Sequence, residues 1–461
     1  MLPLKGYQGR SADLRSMVSK VISGVIPVLV AAGAAIPEGA LACPAYFNLD
    51  AGHAWIGKIP LSTIHLYSYE PKAGWLPLSL QIVPVSDDLS IDTARISQPG
   101  KQGAQKQTDT SITSRDRLVF EVSGFKGRFD GKAALPCGGQ ELVELQKAGD
   151  GGKQVFAYLV ACTQHPSAEF EPRYPVTGNP AKREISSSEF VYQYHPRNEL
   201  LYESLNAKTS SGEWVRSAYE AEITIRLDIK RFFTLEFNNE DIESYVMAST
   251  AGPVGFVEGI SFYLRLLAFK IDLKMSTIAS FFEKSANIPM VIDVPRNAPE
   301  NLHPGSGSLY SFKLDRATFD PGHPQSNMPV QKAGTTLVEH QEKTRRILEQ
   351  CPGVECRFRL MGKLGEDPIA LDMILARNIV EMGFFPNLVL DVVEFRKAGD
   401  WKKDGRADGS SRGVYFETSG LAKGRYAIDT WILFGKDVSS ETVCPAKVVT
   451  TGQRFNGNSR Q

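Results

Sequence analysis

The chain has 461 residues, and its 52 lysines and arginines balance 52 aspartates and glutamates, which gives a formal net charge of zero. A neutral balance without a basic run argues against nucleic acid and against an anionic membrane surface as partners. The length exceeds what one hydrophobic core supports, so the sequence predicts two or three domains. Its 40 glycines and 27 prolines are typical of a β-rich chain with many turns.

Residues 1–42 have the pattern of a signal peptide. A positively charged start is followed by the uncharged run 21–36 and then by Ala40 and Ala42, small residues that signal peptidase accepts before its cleavage site. The run is short and interrupted by proline, whereas a membrane span needs about 20 strongly apolar residues. We therefore expect cleavage near Ala42, a mature chain without a membrane span, and a periplasmic or extracellular location. The alternatives are a buried helix, an uncleaved anchor and lipid attachment to Cys43.

All the cysteines follow the predicted cleavage site, and their even number in an oxidising compartment predicts disulfide bonds. They are Cys43, Cys137, Cys162, Cys351, Cys356 and Cys444. Proximity favours the pairs Cys351–Cys356 and Cys137–Cys162, which leaves Cys43 to pair with Cys444. Buried and partly free thiols are the alternative. Because the chain has no CxxC pair and no histidines at metal-ligand spacing, we predict no metal site.

Short apolar and aromatic runs separated by turn residues predict strands through most of the chain. Residues 43–165 are predicted to form an N-terminal β-sandwich domain. Residues 166–187 carry four prolines and little apolar content, the composition of a linker. Residues 188–461 are predicted to form a larger β-rich domain with an α/β insertion. The predicted fold class is mainly β with minor α: two antiparallel β-sandwich-like domains, the second carrying one or two helices near 335–383.

Four stretches of the C-terminal region give more specific predictions. Residues 222–229 alternate between apolar and polar side chains, as a half-buried strand does. Residues 335–350 have helical spacing and end before a Cys-Pro-Gly stop. The apolar block 367–382 is ambiguous, and a proline in its first turn with Gly383 after its end favours a helix over a strand. Residues 387–395 are predicted to form a strand.

The strongest acid–base candidates are His303, Asp320 and His323, which lie on two loops that contain proline and glycine. They would serve catalysis if the loops converge in the fold. Turn-stabilising polar residues are the simpler interpretation of the same pattern. The sequence contains no hydrolase nucleophile motif, no phosphate-binding loop and no motif for a cofactor.

Four aromatic residues cluster early in the chain: Trp55, Tyr67, Tyr69 and Trp75. Exposed on a sandwich face, these rings would form a platform for sugar rings or for a partner protein. Burial in the hydrophobic core is the commoner fate of such residues.

Together these patterns predict an exported cell-envelope protein that acts by binding, as a structural module or as a module that recognises a carbohydrate or a protein. Its expected partner is a cell-envelope glycan or protein. The alternative hypothesis is a polysaccharide-active hydrolase or lyase whose acid–base residues are assembled from loops. An open cleft with carboxylates or histidines would favour the enzyme, and a flat aromatic face would favour binding.

Overall fold

The fold is mainly β with minor α, as the sequence predicts. The computed structural model describes residues 44–49, 55–86, 91–92, 95, 111–148, 154–163, 175–229, 233–266, 269–294, 302–303, 305–332, 335–351, 353–401, 407–422, 424–435, 438, 444–445 and 449–450. The predicted signal peptide lies outside these residues. None of the helices described here has the length and apolar content that a membrane crossing requires.

The described strands, in chain order, are β1 (Pro44–Asn48), β2 (Ile64–Glu70), β3 (Gly74–Leu78), β4 (Leu80–Val83), β5 (Arg117–Glu121), β6 (Gln140–Ala148), β7 (Gln154–Ala161), β8 (Val176–Asn179), β9 (Glu184–Ser187), β10 (Phe190–His195), β11 (Asn198–Lys208), β12 (Trp214–Ile229), β13 (Phe233–Phe237), β14 (Ile242–Ala251), β15 (Gly255–Leu266), β16 (Phe269–Phe282), β17 (Ser285–Asn287), β18 (Met290–Val294), β19 (Gly307–Leu314), β20 (Ala317–Phe319), β21 (Glu355–Leu364), β22 (Asp367–Ala376), β23 (Asn387–Val389), β24 (Ser411–Glu417), β25 (Gly424–Phe434) and β26 (Val449–Thr450). The described α-helices are α1 (Leu337–Gln350), α2 (Arg377–Glu381) and α3 (Val392–Ala398).

Most strands belong to one hydrogen-bonded network, which forms two antiparallel layers that face each other and are joined by a parallel pairing of Asn198 on β11 with Ser244 on β14. We call these layers the outer sheet and the central sheet. The outer sheet has the order β8-β9-β10-β11-β12-β19-β24-β23, with β13 beside the end of β12. The central sheet has the order β14-β15-β16-β17-β25-β22-β21-β20, with β18 also beside β25. The main hydrophobic core lies between them, where the ring centroids of Phe190 and Phe434 are 5.3 Å apart.

The N-terminal strands form two smaller sheets, β1-β5-β4 and β26-β6-β7-β2-β3. Their apolar side chains share a second core with the opposite face of the central sheet, which includes Ile278 and Trp431. Strand β26, from the far end of the chain, pairs with β6 of the N-terminal region. Within the predicted linker, residues 176–187 form the hairpin β8–β9 at the edge of the outer sheet. The domain boundaries stay a prediction.

The interface between the N-terminal sheets and the central sheet also contains paired charges. Arg359 donates to both carboxylate oxygens of Asp372, at 2.7 and 2.6 Å. Both side chains are buried, and Asp372 also lies 3.8 Å from the Arg357 guanidinium, so removal of Asp372 would leave buried positive charge without its carboxylate. The two residues lie opposite each other on the neighbouring strands β21 and β22, so the pair stabilises the central sheet.

Two predictions from periodicity are confirmed. On β12, Ile223, Ile225 and Leu227 lie in the main core, and the intervening polar residues point to the other face of the outer sheet. Helix α1 begins after Thr336, whose hydroxyl accepts the Glu339 backbone N–H in a capping box.

The helix predicted over 367–382 is wrong for its first part, because β22 occupies Asp367–Ala376 and α2 begins only at Arg377. Both faces of β22 are buried, one in each core, so its sequence lacks the alternation that marks a half-buried strand. The strand predicted over 387–395 is also too long. β23 ends at Val389, and α3 follows at Val392.

Candidate functional site

A cleft of about 280 Å³ lies on the outward face of the outer sheet, between the start of α1 and the end of α3. Its floor is formed by residues of β12 and β24, with β19 between these two strands. Strand register places Arg226 opposite Gly307, and Gly307 opposite Glu417, so the three positions form one row across the sheet. Because neighbouring strands are about 4.8 Å apart, roughly 10 Å separates the backbones at Arg226 and Glu417. A cation and a carboxylate thus flank a residue without a side chain.

Gly307 makes room for the ring of Tyr415. A β-carbon at position 307 would lie 2.4 Å from Tyr415 Cε2, which is closer than real β-carbons approach. The Tyr415 hydroxyl donates to Glu417 Oε2 at 3.0 Å. Burial and the Glu417 carboxylate raise the pKa of Tyr415 well above its usual value, so the hydroxyl keeps its proton. The ring therefore forms a fixed floor for the cleft.

The oxygens of Glu417 are engaged by its own surroundings. The Gly305 backbone N–H lies 3.3 and 3.2 Å from the two oxygens, and Ser419 donates from its N–H at 3.2 Å and from its hydroxyl at 2.5 Å. With the Tyr415 hydroxyl, these donors occupy most of the acceptor capacity of one carboxylate. Glu417 therefore holds the segment before β19 against the end of β24.

The wall on the α3 side is aromatic. Phe395 on α3, Trp401 after it and Tyr415 on β24 form the cleft aromatic cluster, with ring centroids 5.0 to 6.4 Å apart. Arg226 donates to the carbonyl oxygens of Gly399 and, at 2.9 Å, of Asp400, and its guanidinium carbon lies 6.0 Å from the centre of the Trp401 ring. Arg226 therefore ties the end of α3 to the floor and orients the half-buried indole.

The opposite wall is the first turn of α1, where His340 is held in one orientation. Its Nε2 lies 2.7 Å from the Gly383 carbonyl oxygen, and its ring stacks on Phe385 with centroids 5.0 Å apart and planes within 5°. Gly383 has a φ of +81°, and a β-carbon there would come within 3.2 Å of Nε2. Burial lowers the pKa of His340 below its usual value, which favours the neutral imidazole.

Lys343, one turn further along α1, fixes the segment that contains Val330 and Gln331. Its ammonium group donates to the Val330 carbonyl oxygen at 3.2 Å and to Gln331 Oε1 and Asn387 Oδ1, both at 2.9 Å. Burial lowers the pKa of Lys343 to about 8. The lysine anchors Gln331, whose neighbour Lys332 is an exposed cation at the rim.

The cleft combines what small-ligand sites usually contain, namely apolar ring faces with a few convergent polar groups. Among the residues that the structure describes, no group of three histidines, cysteines, aspartates or glutamates could hold a metal ion.

The aromatic residues predicted as a platform are not all together. Trp55 is 1% exposed in the core between the N-terminal and central sheets. Tyr67, Tyr69 and Trp75 lie on the other face of the five-stranded sheet, where they form the N-terminal aromatic cluster with Phe129 and Tyr158. Tyr67 and Tyr69 are buried, and the indole N–H of Trp75 donates to a loop carbonyl at 2.8 Å. The rings of this cluster pack against one another. A binding role for these residues stays a prediction.

The acid–base candidates occupy two separate turns, and no hydrogen bond or ion pair between described residues joins them. Asp320 and His323 share one turn, where Asp320 Oδ1 accepts the Gly322 N–H at 2.8 Å and His323 Nδ1 accepts the Gln325 N–H at 3.2 Å. His303 is exposed, and its backbone N–H donates to a carbonyl of β12 at 2.8 Å. These contacts stabilise turns, and a catalytic role for the three stays a prediction.

Two predicted disulfides are present, Cys137–Cys162 and Cys351–Cys356. Cys444 is also disulfide-bonded. Its predicted pairing with Cys43 lies outside the described residues.

Sequence reasoning missed the cleft because its residues are scattered over the chain: Arg226, His340, Trp401, Tyr415 and Glu417. One local sequence pattern indicates part of the cleft. Tyr415 and Glu417 alternate with Val414 and Phe416 on β24, which marks a strand whose outer face carries polar groups.

No protein-family model matches the sequence, and no curated protein matches it. Among solved structures, an alpha-mannosidase from Enterococcus faecalis V583 is similar with a TM-score of 0.35 and 8% identity, over 92% of this chain and 45% of that protein. A protein in the glycosyl hydrolase family 38 from Enterococcus faecalis gives a TM-score of 0.36 and 9% identity, over 92% of this chain and 46% of that protein. This chain spans less than half the length of either. Similarity at this level does not define a family.

Proposed function

We propose that the protein acts by binding a carbohydrate in the cleft between α1 and α3. The observation that supports this most strongly is the position of Trp401, a half-buried indole beside an open space, with the Arg226 guanidinium 6.0 Å from its ring centre. An indole held in this way offers a rigid apolar face to a sugar ring at little entropic cost. Polar side chains on both sides then supply directional bonds.

The volume of the cleft limits the size of the ligand. A volume of about 280 Å³ is slightly below the usual range for small-ligand pockets, roughly 300–1,000 Å³. It suits one or two sugar rings, such as the end of an oligosaccharide. Gln331, Lys332 and Thr335 line its rim and can bond hydroxyls of the outer ring.

The proposed setting is the cell envelope, after export. The disulfides Cys137–Cys162 and Cys351–Cys356 support it, because such bonds persist in oxidising compartments. The ligand would then be a glycan of the envelope or of the surroundings.

The proposal is tested with a glycan array on the purified mature protein, followed by calorimetric titration with cellotetraose, mannotetraose and chitotetraose. Trp401→Ala should weaken binding at least about tenfold, because the stacking face is lost. The matched control is Trp214→Ala, since Trp214 is 47% exposed at the start of β12, away from the cleft. Unchanged binding by Trp401→Ala, or no retained glycan, would contradict the proposal.

One observation favours the alternative of a polysaccharide-active enzyme. His340 lines the cleft with a lowered pKa, as a proton acceptor requires. Hydrolysis by two carboxylates needs a pair about 5–10 Å apart, and the described lining of this cleft contains Glu417 alone. Proton abstraction by His340 would instead give a lyase. Chromatography of products after incubation with polymeric substrates distinguishes this enzyme from a binding protein.

A further inference from the structure

We propose that Nδ1 of His340 accepts a hydrogen bond from a hydroxyl of the bound sugar, and that this bond makes binding sensitive to acid. The inference rests on the proposed carbohydrate-binding function and assigns one polar contact within it.

The protonation state of the ring follows from its contact with the backbone. A carbonyl oxygen only accepts hydrogen bonds, so the 2.7 Å contact with Gly383 requires the proton to be on Nε2. In a neutral imidazole, Nδ1 then carries the lone pair. No described residue donates a hydrogen bond to Nδ1, although His340 lines the cleft. Nδ1 is therefore an acceptor without a described protein donor, on a residue that lines the cleft.

Two contacts fix the orientation of the His340 ring. Phe385 stacks on one face, and the close approach of Gly383 limits sliding at Nε2. A sugar hydroxyl that meets this acceptor loses little to reorganisation, because the imidazole is already in place. A preorganised acceptor of this kind selects hydroxyl groups over groups that cannot donate.

The charged groups around His340 act in opposite directions. On its own helix, Lys343 and the positive end of the α1 dipole disfavour a charged imidazole, and the carboxylate of Glu339 is bonded to Thr336 in the capping box. From β24, Glu417 favours the charged form. Lys332 at the rim adds positive charge to the cleft, whereas the charge of Arg226 on β12 is paired with the Glu236 carboxylate of β13 at 3.6 Å. Burial is the largest influence and lowers the pKa of His340, so Nδ1 stays bare at neutral pH and gains a proton only on acidification.

The test uses His340→Gln. Glutamine can keep an N–H donor toward the Gly383 carbonyl but has no acceptor at the position of Nδ1. Cellotetraose, mannotetraose and chitotetraose are titrated into both proteins between about pH 7.5 and pH 5. Wild-type affinity should be constant at neutral pH and fall about tenfold below the ordinary imidazole pKa of about 6.5, because a protonated Nδ1 no longer accepts and a hydroxyl held by its other bonds cannot turn to accept in its place. The variant should bind about tenfold more weakly at neutral pH and show no such fall.

Three outcomes separate the two proposals. If the wild type binds and Trp401→Ala does not, but His340→Gln matches the wild type at every pH, the His340 inference is wrong and carbohydrate binding stands. If none of the three tetrasaccharides binds the wild type, both proposals fall. A two-bond ¹H–¹⁵N spectrum of the free protein checks the premise directly, since a proton on Nδ1 at neutral pH would overturn the inference by itself.

Discussion

The two aromatic clusters of this protein differ in what surrounds them. In the N-terminal aromatic cluster, Tyr158 packs edge to face against Trp75 and Phe129, which are tilted against each other, beside the Cys137–Cys162 disulfide. In the cleft aromatic cluster, the rings of Trp401 and Tyr415 adjoin an open space together with a cation and an imidazole.

This difference shows why composition alone does not identify a binding surface. In the first cluster the polar tips of the rings are satisfied inside the protein, as where the Tyr158 hydroxyl accepts the Phe129 N–H. In the second cluster, Arg226 and Gly307 are placed by strand register, and they hold the rings beside empty volume. We therefore expect the first cluster to determine stability and the second to determine binding.

The largest expected effect is that of Trp75→Ala. Removal of a packed indole should reduce the free energy of unfolding by about 3 kcal/mol, from lost burial and the cavity that remains. Oligosaccharide affinity should not change. Urea unfolding followed by circular dichroism measures the first quantity, with the exposed Trp214→Ala as the control expected to shift by less than about 0.5 kcal/mol. A loss of affinity in Trp75→Ala would reverse the assignment of the two clusters.

The disulfide beside the N-terminal cluster comes next. C137A/C162A opens a loop with a sequence separation of 25, which should cost about 3 kcal/mol of stability through the entropy of the unfolded chain. C351A/C356A is the matched control, because its sequence separation of 5 predicts a smaller cost of about 2 kcal/mol. Thermal unfolding of both variants decides the order, and an equal or larger loss in the control would contradict it.

One buried carboxyl group, that of Glu258, should make the stability of the fold depend on pH. Burial raises the pKa of Glu258, which contacts the Tyr194 hydroxyl in the main core, from 4.5 to about 8. Between these values the folded state keeps a proton that the unfolded state releases, so stability falls as pH rises, by about 1.4 kcal/mol per pH unit. Glu258→Gln should remove this slope in urea unfolding at successive pH values. Equal slopes in both proteins would show that Glu258 is ionised in the fold.

The smallest effect is expected at the cleft wall. Thr336→Ala removes the hydroxyl that caps α1 and should cost about 1 kcal/mol of stability. Because α1 carries His340, affinity should also fall slightly, by about twofold to threefold. Thr336→Ser keeps the hydroxyl and serves as the control in unfolding and titration experiments. If Thr336→Ser loses as much stability and affinity as Thr336→Ala, the hydroxyl cap does not hold α1 in place at the cleft wall.

Local features of the fold could be predicted from the sequence. The alternation around Ile225 on β12 and the start of α1 near Thr336 depend only on neighbouring residues. The segment 367–376 could not be assigned in this way, because burial of both faces of β22 removes the polar positions that mark a strand. The same ambiguity arises for any strand between two cores.

The cleft could not be predicted, for a different reason. The row of Arg226, Gly307 and Glu417 exists only once three distant strands pair in register. Trp401 carries no periodic pattern in the sequence, and its role follows from its position beside Arg226. By contrast, the early tryptophans and tyrosines are close together in the chain. Such closeness predicts a local core as readily as a binding surface.

The most direct test of the account is an ¹H–¹⁵N spectrum of the tryptophan indoles, of which the chain has five. After assignment by single substitutions, the spectrum is followed during titration with the tetrasaccharide that binds best. The account predicts that the Trp401 signal shifts in proportion to saturation while those of Trp75 and Trp214 stay in place. A shift of the Trp75 signal with an unmoved Trp401 signal would contradict it.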